Sequence, residues 1–320
     1  MIRAVRTGLL LAAIAAPLAA EAAGGPLHLE AGADLKYDDL AIYVINPATG
    51  RVATKGDVIA EPFVTLSYTT PGRLPTKWLI DITADFYARH SILNYQTIRL
   101  LMKQSLTPAA SLAVKYTLIP EIFFGDDVMG PGLPVGDQTY QVHVLQATAD
   151  RDFGPGLNAA LTGKYAIRDA ESAFEYRDVT VWGAAADAVW RPAPRTKVTV
   201  GAAYEHDAAK GGRNFFSGRP DDATYDQYTA FVALARSFGK TWQATGRYRH
   251  RWRLYATDLA GDVLHHGRTD RTDSFLIEAV YRLTDSVHVK AGYESIWRDS
   301  TRSYARYHEN ISTLGVNYRF

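Results

Sequence analysis

Apolar and polar residues alternate along most of this chain, and the alternating stretches recur at a regular spacing. In the stretch 76–89, Trp78 and Phe86 share one side of an extended strand. Asp81 and Asp85 share the other side. Because successive side chains of a strand point to opposite faces, the pattern predicts strands with one apolar and one polar face. Fourteen stretches of this kind are recognised: 26–37, 57–69, 76–89, 93–106, 111–122, 138–151, 157–168, 176–190, 196–207, 224–238, 241–255, 271–283, 286–298 and 304–320.

The connections between these stretches alternate in length. Every second one is short, and most of these are rich in Pro and Gly, as in 70–75 and 154–156. The others are mostly longer and polar, as in 38–56 and 208–223. Short turns on one side and long loops on the other are typical of a transmembrane β-barrel. We therefore predict an all-β, antiparallel transmembrane barrel of about 14 strands. A count of 12 or 16 stays open because some outer connections are short, and a soluble β-sandwich is the alternative fold.

The C-terminus is typical of the closing strand of a bacterial outer-membrane barrel. The chain ends on an aromatic residue, Phe320, and Leu314, Val316 and Tyr318 alternate with polar residues before it. We interpret Tyr318 and Phe320 as the signal for the barrel-assembly machinery, which predicts location in the bacterial outer membrane.

The N-terminus has the form of a secretory signal peptide. Arg3 and Arg6 precede an uncharged apolar stretch, 8–20, and Ala20-Glu21-Ala22 fits a cleavage site. The apolar stretch is short for a bilayer-spanning helix, which needs about 20 residues. The expected domains are a signal peptide at 1–22 and an outer-membrane β-barrel at 23–320.

The composition narrows the class of protein. There is no cysteine, which excludes disulfide scaffolds, thiolate metal sites and cysteine catalysis. The net charge of +1 does not indicate nucleic-acid binding. No uncharged apolar run near 18 residues follows residue 22, so no membrane-spanning helix is expected. The 19 Tyr and 6 Trp residues suit the aromatic girdles of an outer-membrane barrel.

The main candidate site is a ladder of four arginines in the stretch 241–255. Arg247, Arg249, Arg251 and Arg253 fall on one face of the strand, with Trp242 on the other face. The ladder is about 20 Å long at about 3.3 Å per residue. An arginine near the bilayer midplane costs about 2–4 kcal/mol when it faces lipid. The ladder is therefore expected to face the lumen.

Two interpretations of the ladder stay open. A strip of positive charge would select anionic solutes, as charged rings do in pores. Alternatively, inward acids would pair with the arginines and fix the shape of the barrel. The candidate acidic partners are Asp81, Asp85, Glu278 and Glu294, and further basic residues assigned to the lumen are Arg99, Lys103, Lys115 and Lys164.

No catalytic constellation is recognisable, so the chain is not expected to be an enzyme. Histidines occur beside Ser91 and Glu309, but without the spacing of a triad. His265 and His266 lie in a predicted loop near Asp262, and adjacent histidines make a poor metal pair. The acid-rich stretch 125–137 offers oxygen ligands for Ca²⁺, but such outer loops are ordinary. We predict no cofactor and no metal site.

The C-terminal segment resembles the closing hairpins of an outer-membrane β-barrel porin family. The resemblance covers about 50 residues and rests on Arg268-Thr-Asp270, on Arg298-Asp299-Ser300 after a strand that contains Tyr293, and on Tyr307-x-x-Asn310 before the final Phe. It implies a porin-like fold and leaves the substrate unspecified. Similar endings occur in barrels of lipoprotein or exopolysaccharide export systems, which usually carry helical repeats before the barrel.

The resulting functional hypothesis is a porin-like channel for small hydrophilic solutes, with anions as the class that the ladder would favour. The alternative is a non-conducting accessory barrel of an envelope assembly or export system. The expected partners are outer-membrane lipid, the barrel-assembly machinery and small solutes, without nucleic acid; the oligomeric state is open. The loops 38–56 and 208–223 are the candidates for a plug.

Overall fold

The computed structural model describes residues 26–45, 52–123, 139–213 and 218–320. The predicted signal peptide at 1–22 and the acid-rich stretch 125–137 lie outside the described residues. Within the described part of the chain, no helix is long and apolar enough to cross a membrane.

The structure is a closed barrel of fourteen antiparallel strands. The strands of the chain are β1 (Leu27–Ile45), β2 (Val52–Thr69), β3 (Thr76–Tyr87), β4 (Tyr95–Thr107), β5 (Ala110–Phe123), β6 (Thr139–Asp152), β7 (Leu157–Ala170), β8 (Val179–Ala193), β9 (Thr196–Ala209), β10 (Gly212–Arg213), β11 (Pro220–Asp221), β12 (Tyr225–Phe238), β13 (Trp242–Tyr255), β14 (Thr269–Arg282), β15 (Val287–Ser300) and β16 (Tyr307–Arg319). β10 and β11 pair with each other outside the barrel, and β1 pairs with both β2 and β16, which closes the sheet. The predicted count of fourteen is confirmed.

The two ends of the barrel differ as the connections predict. At one end the strands are joined by short turns, and Gly154 and Gly156 adopt φ of 119° and 84° there, a conformation that suits glycine. At the other end, which we call the long-loop end, lie the longer connections. They carry three short 3₁₀ helices: Ser91–Leu93, Ser172–Arg177 and Ser303–Ala305. The last two replace the predicted strand starts at 176 and 304.

The first two strands extend further than predicted. The sequence stretch 38–56 reads as a loop, but β1 continues to Ile45 and β2 begins at Val52. A register shift between Asp38 and Ile42 interrupts the pairing. A barrel strand needs only about 9–11 residues to cross the bilayer, so these two strands extend beyond it as a long hairpin. The part of the hairpin beyond the bilayer does not contact lipid and needs no apolar face. Most of this plug candidate is therefore strand.

The outer face carries exposed aromatic side chains at two levels. On β13, Trp242 is 50% exposed and Trp252 is 42% exposed. Ten residues separate them, which corresponds to a height of about 25 Å for a strand tilted about 40°. This matches the apolar band of outer-membrane barrels. The strands β8 and β12 contribute exposed aromatics on the same face: Trp182, Trp190, Tyr228 and Phe238.

The outer face also carries polar groups near Trp252, the aromatic closer to the long-loop end. On this face the Tyr248 hydroxyl donates to Asp273 at 2.5 Å, and His250 Nδ1 lies 2.8 Å from the same carboxylate. These partners satisfy a carboxylate that would otherwise be costly beside lipid. The arrangement recurs with Tyr204, His206 and Asp226.

One predicted irregularity is in a different strand. The apolar–polar alternation breaks at Leu145 and Gln146, a pattern that predicts a bulge in the sixth strand, but the pairing of β6 with β7 is continuous there. The register shift lies in β5, between Ile119 and Ile122. Pro120 falls within this interval and has no N–H for the sheet, which accounts for the bulge.

Asp57 anchors the connection between β3 and β4 at the long-loop end, beyond the part of β2 that is needed to cross the bilayer. Its carboxylate accepts the N–H groups of Arg89 at 3.1 Å and His90 at 2.9 Å, and it lies 2.8 Å from His90 Nδ1. Burial alone would raise the pKa of Asp57, but the hydrogen bonds from His90, Arg89 and Val58 lower the pKa overall. The ionised carboxylate therefore stabilises this connection.

Candidate functional site

The arginine ladder lies on the face of β13 opposite the exposed aromatics. Arg247, Arg249, Arg251 and Arg253 are all half-buried, whereas Tyr248 between them is 45% exposed. The alternation that places aromatics outside thus places the guanidinium groups inside the curve of the sheet.

The two arginines nearer the short-turn end, Arg247 and Arg249, both approach one carboxylate. Arg247 NH2 lies 3.7 Å and Arg249 NH2 lies 3.5 Å from Glu294 Oε1. Glu294 is on β15, and Leu276 of the intervening strand separates it from Arg247 in the sheet. Because directly opposite residues of paired strands share a face, Arg247, Leu276 and Glu294 lie on the same side of the sheet. The exposed residues Tyr248, Phe275 and Tyr293 occupy the other side, so the ladder lies on the inner wall. Two guanidinium groups share one negative charge there.

The two arginines nearer the long-loop end, Arg251 and Arg253, have different surroundings. Arg253 donates to Gln227 Oε1 at 2.9 Å, and its guanidinium lies 4.0 Å from the ring centre of Tyr225. Gln227 is 9% exposed and Tyr225 is 8% exposed, so this end is packed. Among the described residues, no carboxylate lies within ion-pair distance of Arg251. Arg247, Arg249 and Arg251 together therefore carry an excess of positive charge.

Three of the four predicted acidic partners form no ion pair with the ladder within the described part of the chain. Asp81 pairs with Arg99 at 2.5 Å on the neighbouring strand β4. Asp85 lies 3.8 Å from Lys36 of β1. Glu278 on β14 is opposite Thr245 and Gly292 in the sheet, and the described residues offer it no ion pair.

The remaining basic residues assigned to the lumen are paired, with one exception. Lys103 lies 2.9 Å from Asp150, and Lys164 lies 3.0 Å from Glu205. Lys115 has no carboxylate at ion-pair distance within the described ranges. It lies opposite Gln146, which in turn lies opposite Lys164. A second site of uncompensated positive charge is thus on β5.

The C-terminal residues lie where β16 closes on β1. The rings of Tyr318 and Phe320 pack edge to face with centres 4.5 Å apart, and both are exposed on the outer face. The N–H of Phe320 donates to the carbonyl of Leu29 at 3.0 Å. The terminal aromatic therefore takes part in closing the sheet; its recognition by assembly machinery stays a prediction.

Ion pairs at the long-loop end were not assigned from the sequence. Asp207 is fully buried and lies 3.0 Å from Arg168. Asp270 lies 3.0 Å from Arg268 Nε and also pairs with Arg298. The Arg268-x-Asp270 motif was noted for its family resemblance, and the structure assigns it a buried ion pair. No local signal marks Arg168 and Asp207, which meet through the packing of β7 to β9.

Comparison with known proteins establishes the fold. No protein-family model matches the chain, and no curated protein is significantly similar. The outer membrane channel DcaP of Acinetobacter baumannii is similar in structure, with a TM-score of 0.53 and 14% identity over 92% of this chain and 96% of DcaP. OmpT, an outer membrane protein of Vibrio cholerae, has a TM-score of 0.50 and 8% identity over 92% and 97%. A bacterial polysaccharide outer membrane secretin has a TM-score of 0.50 and 9% identity over 91% and 98%.

The chain thus has the closed antiparallel barrel fold of these outer-membrane proteins, and its resemblance to one porin family stays a prediction.

Proposed function

We propose that this protein is a channel in the bacterial outer membrane that passes small hydrophilic solutes and favours anions. The observation that carries the proposal is the charge excess on β13. Arg247 and Arg249 share a single carboxylate, Glu294, and the described residues place no carboxylate at ion-pair distance from Arg251.

The size of the barrel supports an aqueous passage. Barrels of about eight strands are filled by side chains, whereas those with 16–18 strands enclose an open channel. Fourteen strands lie between these limits. The inner wall is rich in charged side chains, which are tolerated where water solvates them. DcaP, which has the same fold, is named a channel.

The guanidinium groups account for the preference for anions. A strip of positive charge raises the local concentration of anions and lowers that of cations. The planar guanidinium also binds carboxylate and phosphate groups through paired hydrogen bonds. Small solutes that carry these groups are the expected substrate class.

The proposal is tested by ion selectivity in planar bilayers. The triple variant Arg247→Gln, Arg249→Gln, Arg251→Gln should shift the reversal potential in a salt gradient toward cation preference. Arg236→Gln is the matched control, because Arg236 is an exposed arginine on the outer face of the adjacent β12. A triple variant with the selectivity of the control would refute the assignment of the ladder.

A second candidate is an accessory barrel that conducts only within an export assembly. The observation that favours it is the packed end of the ladder, where Tyr225, Gln227 and Asp207 are all at least nine-tenths buried. The polysaccharide secretin has the same fold. Folded wild-type protein that leaves bilayers sealed would favour this candidate over an open channel.

A further inference from the structure

We propose that Asp221, Asp262 and His265 form a binding site for a divalent transition metal of the zinc type, which ties together two loops at the long-loop end. Asp221 lies in the connection between β9 and β12, and the other two residues lie in the connection between β13 and β14. The proposal does not depend on the protein being a channel.

The spacing of the three side chains suits a tetrahedral metal. His265 Nδ1 lies 3.0 Å from Asp262 Oδ2 and 3.5 Å from Asp221 Oδ1. The three ligand atoms all lie within 4.8 Å of one another. Ligands about 2.0 Å from a tetrahedral metal are separated by about 3.3 Å, so the two distances from His265 Nδ1 are close to the edges of such a site.

Burial and charge also favour a cation. Asp262 is fully buried and Asp221 is 3% exposed. Arg177 NH2 lies 3.2 Å from Asp221 Oδ2 and supplies one positive charge against the two carboxylates. Two buried carboxylates beside one imidazole favour a bound cation, because a buried charge is costly unless it is paired or coordinates a metal.

The fourth side of the group borders a cavity. A space of about 190 Å³ is lined by Asp221, His265, Arg177 and Tyr176, among others. It has room for water molecules, one of which would complete the coordination. Tyr176 is nine-tenths buried, and its hydroxyl has no hydrogen-bond partner among the described residues. A metal-bound water in this cavity would offer a hydrogen-bond partner to a buried hydroxyl such as that of Tyr176.

The ligand types indicate which metal. An imidazole with two carboxylates suits Zn²⁺ and its neighbours in the transition series, whereas Ca²⁺ and Mg²⁺ prefer oxygen ligands alone. Asp221 is essential to this argument. Asp262 Oδ1 also accepts the N–H groups of Leu264 and His265, each at 3.0 Å, and Asp262 Oδ2 accepts the N–H of Asp222 at 2.7 Å, so a hydrogen-bonded staple already joins the two loops. That staple accounts for Asp262 but not for the Asp221 carboxylate, which lies 3.5 Å from His265 Nδ1.

The adjacent histidine provides a matched control. His266 Nδ1 lies 3.2 Å from the carbonyl oxygen of Thr257 and is not part of the group. The two neighbouring histidines thus have different partners, and the expectation that they make a poor metal pair stays a prediction. The second partner of His265 is Asp221, which no sequence pattern in its own loop indicates.

The experiment is a Zn²⁺ titration of the full-length protein, folded in detergent at pH 7.5, by calorimetry and by metal content after gel filtration. Wild type and His266→Gln should bind one Zn²⁺ per chain with the same affinity. His265→Gln and Asp221→Asn should each weaken binding at least tenfold. Unchanged heat-modifiable migration on gels would show that the barrels are folded.

Two results would overturn the proposal. One is wild-type protein that binds no stoichiometric Zn²⁺, which would leave the group as a hydrogen-bonded staple. The other is binding that survives equally in His265→Gln and His266→Gln, which would assign the metal to histidines elsewhere, such as those on the outer face.

Discussion

The substitution Glu294→Gln provides a quantitative test of the ladder. It removes the carboxylate that Arg247 and Arg249 share and leaves their positive charges uncompensated. The side chain of Glu294 is about one-fifth exposed, so a glutamine of nearly equal volume fits the same place. Anion preference should therefore increase, while the loss of two long ion pairs should cost only about 1 kcal/mol of stability.

The size of the change follows from Coulomb's law. A monovalent ion that passes about 6 Å from the carboxylate in water interacts with it by about 0.7 kcal/mol. Screening in 0.1 M salt reduces this to about 0.4 kcal/mol. Removal of the charge then raises the anion concentration about twofold and lowers the cation concentration about twofold, so the permeability ratio changes about fourfold. In 1 M salt the interaction falls to about 0.1 kcal/mol, and the ratio should change less than about 1.5-fold.

The assay is the reversal potential of single channels in a salt gradient, measured at both ionic strengths. Asp285→Asn is the matched control, because Asp285 is fully exposed in the short turn between β14 and β15. The reasoning is refuted if Glu294→Gln and Asp285→Asn behave alike in 0.1 M salt. It is also refuted if the shift is as large in 1 M salt as in 0.1 M salt.

Three further predictions concern stability and assembly. Arg253→Gln should destabilise the barrel by about 2 kcal/mol in urea unfolding, because it removes a charged hydrogen bond and a ring contact in a packed environment, whereas Arg251→Gln should change stability little. The pKa of Asp57 in the folded protein is below its ordinary value of 3.8. The stability that its ionised carboxylate gives to the β3–β4 connection is therefore present above pH 3.8 and is lost as the pH falls through the lowered pKa. Protease protection of 88–94 should therefore decline in strong acid, whereas Asp57→Asn should lack protection at pH 7 as well; an acid-independent wild type would contradict this. Deletion of Phe320 should reduce the heat-modifiable folded fraction and Phe320→Trp should not, because the aromatic contact with the neighbouring ring would be kept; equal folding of the two would rule out this role.

The strands could be predicted because the environment enforces a period of two. Lipid on one side and polar surroundings on the other fix the alternation in each membrane-crossing stretch, so most strand ends fall within a few residues of the predicted ones. The part of the β1–β2 hairpin beyond the bilayer could not be predicted from alternation, because strands that pair outside the membrane need no apolar face. The polar residues Asp38 and Asp39 read as a loop in the sequence.

The face of the ladder could be predicted, but only one of the four candidate acidic partners, Glu294, pairs with it. Parity alone separates Arg247 from Tyr248, and the structure places the two on opposite faces of β13. Glu294 meets Arg247 across an intervening strand, so the contact depends on two registers and on curvature, which single-strand patterns do not contain. Asp81 pairs with Arg99 instead of the ladder, because the two residues lie directly opposite each other on adjacent strands.

Local sequence patterns do not predict the proposed metal site. Asp262 and His265 are three residues apart, but Asp221 joins them from another loop. Such a meeting follows from how the loops pack at the long-loop end, and no periodicity constrains that packing.

The central claim is that the barrel is a water-filled passage with an excess of positive charge on its wall. Its most direct test is the current through planar bilayers that contain purified, folded wild-type protein between 0.1 M and 1 M potassium chloride. The account predicts discrete channel openings and a reversal potential on the chloride side of zero. Bilayers that stay sealed, or a reversal potential on the potassium side, would contradict it.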